Sequence, residues 1–179
     1  MSKGAIVVKD VELKLLSELM KNCRRSDREL AKIIGVSQPT VSRIRTRLER
    51  EGVIHYNGVP DLGKLGYEII AMTLGNWKRQ QYPDTKVTKA QDFIAKHPSI
   101  IFVSTGRGNN SDRVAISIHR NYSDYAIFMQ EIRSEWGECM QITDSFLISL
   151  GSDNVLRPLS LRYITECLEK EKSQQRTKA

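Results

Sequence analysis

Apolar residues in the first fifty positions recur at helical spacing in three short segments. In the first segment, from Lys9 to Lys21, one stripe includes Leu13, Leu16 and Met20, with Leu15 and Leu19 alongside. Stripes of this kind are typical of amphipathic helices that bury one face. The sequence therefore predicts three helices before residue 52. The stripes of the second and third segments are Leu30, Ile33 and Ile34, and Val41, Ile44 and Leu48.

Polar residues and glycines mark where the second and third helices begin and end. Ser26 is followed three residues later by Glu29, the spacing of a capping box that satisfies free N–H groups at a helix start. Gly35 ends the second helix, because glycine enters the left-handed conformation at little cost. Ser37 is placed to cap the third helix, and Pro39 is tolerated in its first turn.

The pattern changes after the third helix. Val53–Tyr56 is interpreted as a short strand, and the Gly- and Pro-rich residues 57–66 as a hinge. Strands and helices then alternate, which predicts the β-α-β-β-α-β unit of a ferredoxin-like sandwich. A polar turn, 106–112, joins the second and third strands. The predicted strands are 67–77, 100–105, 114–118 and 139–150, and the predicted helices are 86–97 and 123–135.

Taken together, these elements predict an α+β chain in four parts. A helix-turn-helix domain covers 1–56, a hinge covers 57–66, and a ferredoxin-like domain covers 67–151. A further helix and a polar tail occupy 152–179, because Leu161, Ile164 and Leu168 keep helical spacing. The tail from Lys170 onward is expected to fray.

The distribution of charge indicates what kind of partner the first domain binds. The chain carries a formal charge of +7, and residues 1–60 hold twelve Lys and Arg against seven Asp and Glu. A basic module beside a nearly neutral remainder indicates a polyanionic partner. No apolar stretch is long enough for a membrane span and no signal peptide is legible, so a cytoplasmic protein is expected. The scattered Cys and His residues predict no metal site, and no cofactor is expected.

The segment from Ser26 to Leu48 has the packing pattern of a helix-turn-helix. Ala31 allows the two helices to approach closely, Gly35 makes the turn, and Val41 and Ile44 dock the second helix on the first. The opposite face of the third helix then points outward with groups that hydrogen-bond bases and phosphates. We expect base contacts from Gln38, Thr40, Ser42, Arg43 and Thr46. We expect phosphate contacts from Arg24, Arg25, Ser37, Arg45, Arg47 and Arg50.

At these residues the chain resembles the winged helix-turn-helix of the Lrp/AsnC family of transcription regulators. The β-α-β-β-α-β remainder is similar to that family's C-terminal domain, and His97-Pro98 stands where members often show it. The resemblance extends over roughly Asp10 to Gly151. The matching residues of the first domain are Asp10, Leu15, Leu16, Leu19, Asn22, Arg24, Ser26, Leu30, Ala31, Gly35, Ser37, Thr40, Val41, Arg43, Arg45, Leu48, Gly52, Val53 and Ile54.

The resemblance implies a regulator of double-stranded DNA that forms a homodimer or larger oligomer through its C-terminal domains. It also implies a small-molecule effector, commonly an amino acid, near the turn between the second and third strands. This turn is longer and more polar than the family's usual Gly-x-x-Asp turn. Its glycines let backbone N–H groups approach a ligand, while Arg107 suits a carboxylate and Asp112 an amine. The candidate effector residues are Thr105, Gly106, Arg107, Gly108 and Asp112.

Two other functions fit parts of the sequence. Sirohaem decarboxylases resemble the same family, and an enzyme of that kind would use His97, His119, Arg107, Arg113 and Arg120. No catalytic motif is legible, however, and such an enzyme would leave the arginines of the third helix without a role. A chromatin-like protein that coats DNA with low specificity is the other alternative. The regulator is the interpretation that accounts for both domains, and no catalytic residues are expected.

Overall fold

The computed structural model describes residues 9–78, 85–151 and 155–167. The chain divides into two compact units, one drawn from Met1–Val59 and Leu159–Ala179 and the other from Pro60–Pro158. The predicted polar tail lies outside the described residues. The expected α+β fold class is confirmed.

Three helices build the first unit: α1 at Asp10–Lys21, α2 at Asp27–Ile34 and α3 at Gln38–Arg50. The predicted capping box at Ser26 and Glu29 is present, with the Ser26 N–H donating to Glu29 Oε2 over 2.8 Å. Gly35 ends α2 with a φ of 80°, in the left-handed region that favours glycine. The helix starts and stops that the sequence predicts are therefore confirmed.

The core of this unit contains the whole predicted stripe of α3 but only part of the other two. In α1 Leu15 and Leu19 are buried, whereas Leu13, Leu16 and Met20 are only partly buried. In α2 Leu30 and Ala31 are buried, whereas Ile33 is 52% exposed. The buried faces of the three helices pack against one another. The buried members of the core are Leu15, Leu19, Leu30, Ala31, Val41, Ile44 and Leu48.

The strand predicted at Val53–Tyr56 is wrong. The chain there forms no β-ladder. The N–H groups of Val53 and Ile54 instead donate to the carbonyl oxygen of Leu48, over 2.9 Å and 3.4 Å. These bonds close the C-terminal end of α3 and occupy the donors that a strand would need. The apolar side chains pack against the helical core, which explains the β-like composition.

A short segment near the C-terminus packs in the first unit, against α1. It begins as a 3-10 turn at Leu161–Tyr163 and continues as helix at 164–167. Thr165 is almost fully buried, and its hydroxyl donates to the Arg162 carbonyl over 2.6 Å. The extra helix predicted from apolar spacing therefore begins within the described residues and belongs to the same compact unit as the three helices.

The second unit contains β1 at Ile69–Trp77, α4 at Thr85–Lys96, β2 at Ile100–Gly108, β3 at Ser111–His119, α5 at Tyr122–Trp136 and β4 at Met140–Ser149. The strands form one antiparallel sheet in the order β2-β3-β1-β4. The first strand lies at the centre between the third and the fourth, as a ferredoxin-like sandwich requires. The predicted topology is confirmed.

One face of the sheet packs against the helices. Ala71 of β1 is fully buried there, together with Phe128 and Trp136 of α5. Successive side chains of a strand point to opposite faces, so Met72 points away from the helices. Its pairing partners continue a row across all four strands: Phe102, Ile116, Met72 and Phe146. We call this set the apolar row. Phe146 is 69% exposed and Phe102 is 50% exposed.

The long polar turn predicted at 106–112 is wrong. β2 continues through Gly108 and β3 begins at Ser111, which leaves Asn109 and Asn110 as a two-residue hairpin. Both asparagines have positive φ, 48° and 53°, as a type I′ turn demands. Asparagine tolerates this conformation better than most residues. Asn109 and Asn110 therefore form the turn, and Gly106 and Gly108 do not. Both glycines lie in β2.

Candidate DNA-binding surface

α3 presents a polar face that the core leaves open. Val41, Ile44 and Leu48 are buried, so the residues between them point outward. The structure brings together five exposed side chains along this face: Gln38, Ser42, Arg43, Thr46 and Arg50. Four of these are predicted base contacts, and Arg50 is a predicted phosphate contact.

The start of α3 is held by two side chains for which the sequence also predicts DNA contacts. The Ser37 hydroxyl accepts from the Thr40 N–H over 3.3 Å. The two hydroxyls also share a hydrogen bond of 2.8 Å. Ser37 and Thr40 therefore fix the orientation of the helix start, and Thr40 is half-buried.

Arg45 forms an intramolecular network rather than facing solvent. Its guanidinium donates to Asp27 Oδ1 over 2.7 Å, to the Tyr56 hydroxyl over 3.0 Å and to the Cys23 carbonyl over 3.1 Å. Glu49 Oε1 lies 3.6 Å away. This network joins α3 to the start of α2 and to the segment after α3. The geometry gives Arg45 a positioning role.

Arg47 and Arg25 also have carboxylate partners within the unit. Arg47 Nη2 lies 2.5 Å from Glu12 Oε2 and its Nε lies 3.8 Å from Glu51. The Arg25 guanidinium pairs with Glu18. Arg24, by contrast, is exposed. Among the described residues, no ion pair holds Arg24, Arg43 or Arg50, so these three cations remain available to an external anion.

Glu12 is the buried acid of this surface, and sequence reasoning missed it. It lies in the same stripe as Leu15 and Leu19 and is 5% exposed. Burial by itself would raise the pKa of the Glu12 carboxyl. The Lys9 N–H, at 2.9 Å, and the Arg47 guanidinium together outweigh burial and hold this pKa below its ordinary value.

Acid should therefore lower the unfolding free energy of the first unit, and part of this loss should depend on Glu12. A carboxyl whose pKa is lowered by folding stabilises the fold above its unfolded pKa of about 4.3, and this stabilisation is lost as the pH falls through the folded pKa. The unfolding free energy should fall below about pH 4.3 more steeply in the unchanged protein than in Glu12→Gln. Urea unfolding at a series of pH values measures this. Equal pH dependence in the two proteins would contradict the assignment.

The candidate effector residues do not line a loop. Thr105, Gly106, Arg107 and Gly108 lie along β2, and Asp112 lies on β3. Asp112 Oδ1 accepts from the Trp77 N–H over 3.3 Å and lies 3.6 Å from Arg113 Nη1. The Arg107 side chain is exposed. An amino-acid site at these residues stays a prediction.

The two histidines that a sirohaem-decarboxylase-like enzyme would use, His97 and His119, make contacts within the fold of the second unit. His119 is 1% exposed and shares a hydrogen bond of 2.8 Å with the Ser117 hydroxyl. Burial lowers the pKa of His119, although the Asp124 carboxylate opposes this shift. His97 stacks on Phe93, with 3.9 Å between ring centroids.

Two of the three arginines of that enzyme alternative lie near aromatic rings. Arg120 lies over the Tyr67 ring, and Arg113 lies near the Trp77 ring. The part of the chain that is described contains no group of three or more His, Cys, Asp or Glu placed to hold a metal ion. Within the same part, no helix has the length and apolar character needed to cross a membrane.

The first unit matches a known class of domain. Residues 9–55 match the family described as winged helix-turn-helix DNA-binding. The exposed basic face of α3 lies within this match.

Two curated relatives that this chain resembles are named as regulators. The chain is 32% identical over 82 residues to the leucine-responsive regulatory protein of Rhizobium meliloti, covering 45% of this chain and 53% of the relative. It is 28% identical over 104 residues to the HTH-type transcriptional regulator FL11 of Pyrococcus furiosus, covering 58% and 66%. The matches thus span about half to two thirds of the length of these relatives.

Solved structures share the fold over most of the chain. LrpC of B. subtilis aligns with a TM-score of 0.65 at 21% identity, covering 83% of this chain and 97% of LrpC. A transcriptional regulator of Neisseria meningitidis, solved in complex with L-Met, aligns with a TM-score of 0.69 at 15% identity, covering 87% and 96%. The resemblance to Lrp/AsnC regulators that the sequence predicts is confirmed.

Proposed function

We propose that this chain is a sequence-specific DNA-binding transcription regulator of the Lrp/AsnC type. The observation that carries the proposal is the outer face of α3, where Ser42, Arg43 and Thr46 are exposed side by side. A second helix of a helix-turn-helix enters the major groove with its N-terminal residues against the base edges. Arginine offers two parallel donors to guanine, and hydroxyl groups bond to several bases.

The arginines divide by whether a carboxylate already holds them. Arg43 lies in the first half of α3, so we assign it to base edges together with Gln38, Ser42 and Thr46. Arg24 and Arg50 flank this face, so we assign them to phosphates. Arg25, Arg45 and Arg47 have partners inside the unit, so our proposal gives them positioning roles instead of phosphate contacts.

We further propose that the protein acts as a dimer through the sheet. The apolar row crosses the face of the sheet that α4 and α5 leave open, and exposed apolar patches of this kind mark interaction surfaces. A two-fold dimer buries the same patch from both subunits. It would also supply two recognition helices, spaced for half-sites about one helical turn apart or a multiple of it.

Arg43→Ala should weaken binding at the preferred DNA site by about 1–3 kcal/mol and relax base choice at one position. The cause is the loss of donors to a base edge, without loss of a fold contact. Selection of binding sites from a random DNA pool, followed by titration of the selected site, measures both effects. An unchanged base preference in Arg43→Ala would contradict the assignment and favour a protein that coats DNA without reading it.

Arg50→Ala provides the matched control on the same helix. A phosphate contact contributes to affinity for every sequence alike, so base preference should persist in this variant. The slope of log affinity against log salt should flatten by about one unit, since each phosphate contact contributes about 0.9. A salt slope equal to that of the unchanged protein would show that Arg50 touches no phosphate.

A further inference from the structure

The second unit contains an apolar cavity between its helices and its sheet. The cavity measures about 240 Å³, larger than the roughly 150 Å³ that holds a benzene ring in an engineered protein core. Its volume fits one aromatic ring with a short substituent. The described residues that line it include four aromatic side chains: Trp77, Phe93, Phe128 and Trp136.

A buried donor in the cavity wall has no acceptor. Trp136 is 8% exposed, and its indole Nε1 has no hydrogen-bond partner among the described residues. The ring instead contacts two other rings of the wall edge to face, Trp77 at 5.6 Å and Phe93 at 6.0 Å between centroids. Buried N–H groups are nearly always paired, and an unpaired one needs a physical reason. An acceptor oxygen on a ligand would supply the missing bond.

Charge at the cavity is positive. Among the described lining residues, Arg113 is the one charged side chain. It already contacts Asp112, but a guanidinium has five N–H donors and can serve a second carboxylate. Gln91, Val103 and Thr105 are lining residues that are also exposed, so the cavity opens to solvent beside β2.

From these observations we propose that the cavity binds a small aromatic carboxylic acid. The ring lies among the aromatic walls, and a carboxylate oxygen accepts from Trp136 Nε1 while Arg113 supplies opposite charge. The site lies within the second unit and makes no use of α3. The proposal therefore stands apart from DNA binding and is tested without DNA.

Phenylacetate is the probe, with toluene as the ring without an acceptor and acetate as the acceptor without a ring. Both tryptophans of the chain line the cavity, so intrinsic fluorescence reports occupancy and calorimetry gives the affinity. Phenylacetate should change the fluorescence saturably, and acetate should not. Toluene should bind about tenfold more weakly, because it offers no oxygen to the indole or the guanidinium.

Variants locate the bound probe. Trp136→Phe keeps an aromatic side chain, although a smaller one, but removes the donor and should weaken phenylacetate binding about tenfold. Ala90→Leu fills the cavity from α4 and should abolish binding, with the melting temperature recorded to confirm a folded protein. Arg107→Ala, on exposed β2, should bind phenylacetate unchanged.

Three results would overturn the proposal. They are no binding of phenylacetate to the unchanged protein, toluene that binds as tightly as phenylacetate, or a folded Ala90→Leu that binds phenylacetate normally. The comparison of toluene with phenylacetate uses the unchanged protein, so it tests the proposal even where a variant does not fold. A loss of binding in Arg107→Ala would instead move the ligand to the predicted effector residues.

Discussion

Replacing Leu48 with Ala should lower the unfolding free energy of the first unit by about 2–5 kcal/mol. Leu48 is fully buried, and its carbonyl oxygen also accepts the two N–H groups that close the end of α3. Truncation removes apolar contacts and leaves a cavity that helices fixed by capped ends cannot fill fully. Small domains have total stabilities of about 5–15 kcal/mol, so this one change removes a large share.

Urea unfolding followed by helical circular dichroism measures the loss. Thr46→Ala is the matched control, because Thr46 is exposed on the same helix and surface changes are usually within about 0.5 kcal/mol. The two variants should also separate in DNA binding. Leu48→Ala should lose affinity in step with unfolding, whereas any loss in Thr46→Ala should occur in a folded protein. A cost below about 1 kcal/mol for Leu48→Ala would contradict the close packing of α3 on α1 and α2.

Phe146→Asp should dissociate the proposed dimer. Phe146 belongs to the apolar row and is 69% exposed in the single chain, so aspartate at this position has little effect on the monomer. In a dimer the row would be buried, and two carboxylates related by the two-fold axis would face an apolar surface without partners. We expect dimer affinity to fall at least about a hundredfold, or about 2.8 kcal/mol.

Analytical ultracentrifugation at micromolar concentration measures the assembly. Ile127→Asp is the matched control, because Ile127 is 57% exposed on α5, outside the apolar row. This variant should remain dimeric. DNA affinity should fall with Phe146→Asp, because one helix-turn-helix makes few base contacts. A monomeric unchanged protein, or a Phe146→Asp variant that stays dimeric, would reject the sheet face as the interface.

The elements set by local patterns were the ones that sequence reasoning predicted well. The capping box at Ser26, the glycine stop at Gly35 and the stripe of Val41, Ile44 and Leu48 depend on residues within one or two turns of each other. Their geometry is fixed by backbone conformation and by the period of the helix. The strand order also follows from the alternation of elements, since few topologies connect them without crossings.

The ion-pair partners of the arginines could not be predicted from local patterns. A helical wheel gives the outward direction of Arg43 correctly, but it treats Arg45 and Arg47 as further exposed cations. Asp27 and Glu12 neutralise these two arginines from other helices, at separations in sequence that no wheel covers. One signal was available for Glu12, because a carboxylate inside the apolar stripe of Leu15 and Leu19 needs a partner when it is buried.

The sequence by itself determined the three helices of the first unit, the order of the strands and the outward polar face of α3, because each depends on neighbours along the chain. Only the tertiary structure decided which arginines have carboxylate partners, where β2 turns into β3, and that the described residues give the indole N–H of Trp136, in the wall of an apolar cavity, no acceptor. The position of the hairpin at Asn109-Asn110 is set by pairing between β2 and β3. The cavity is set by the packing of α4 and α5 against the sheet. Such features arise from residues far apart in sequence, whose distances are fixed only when the cores close.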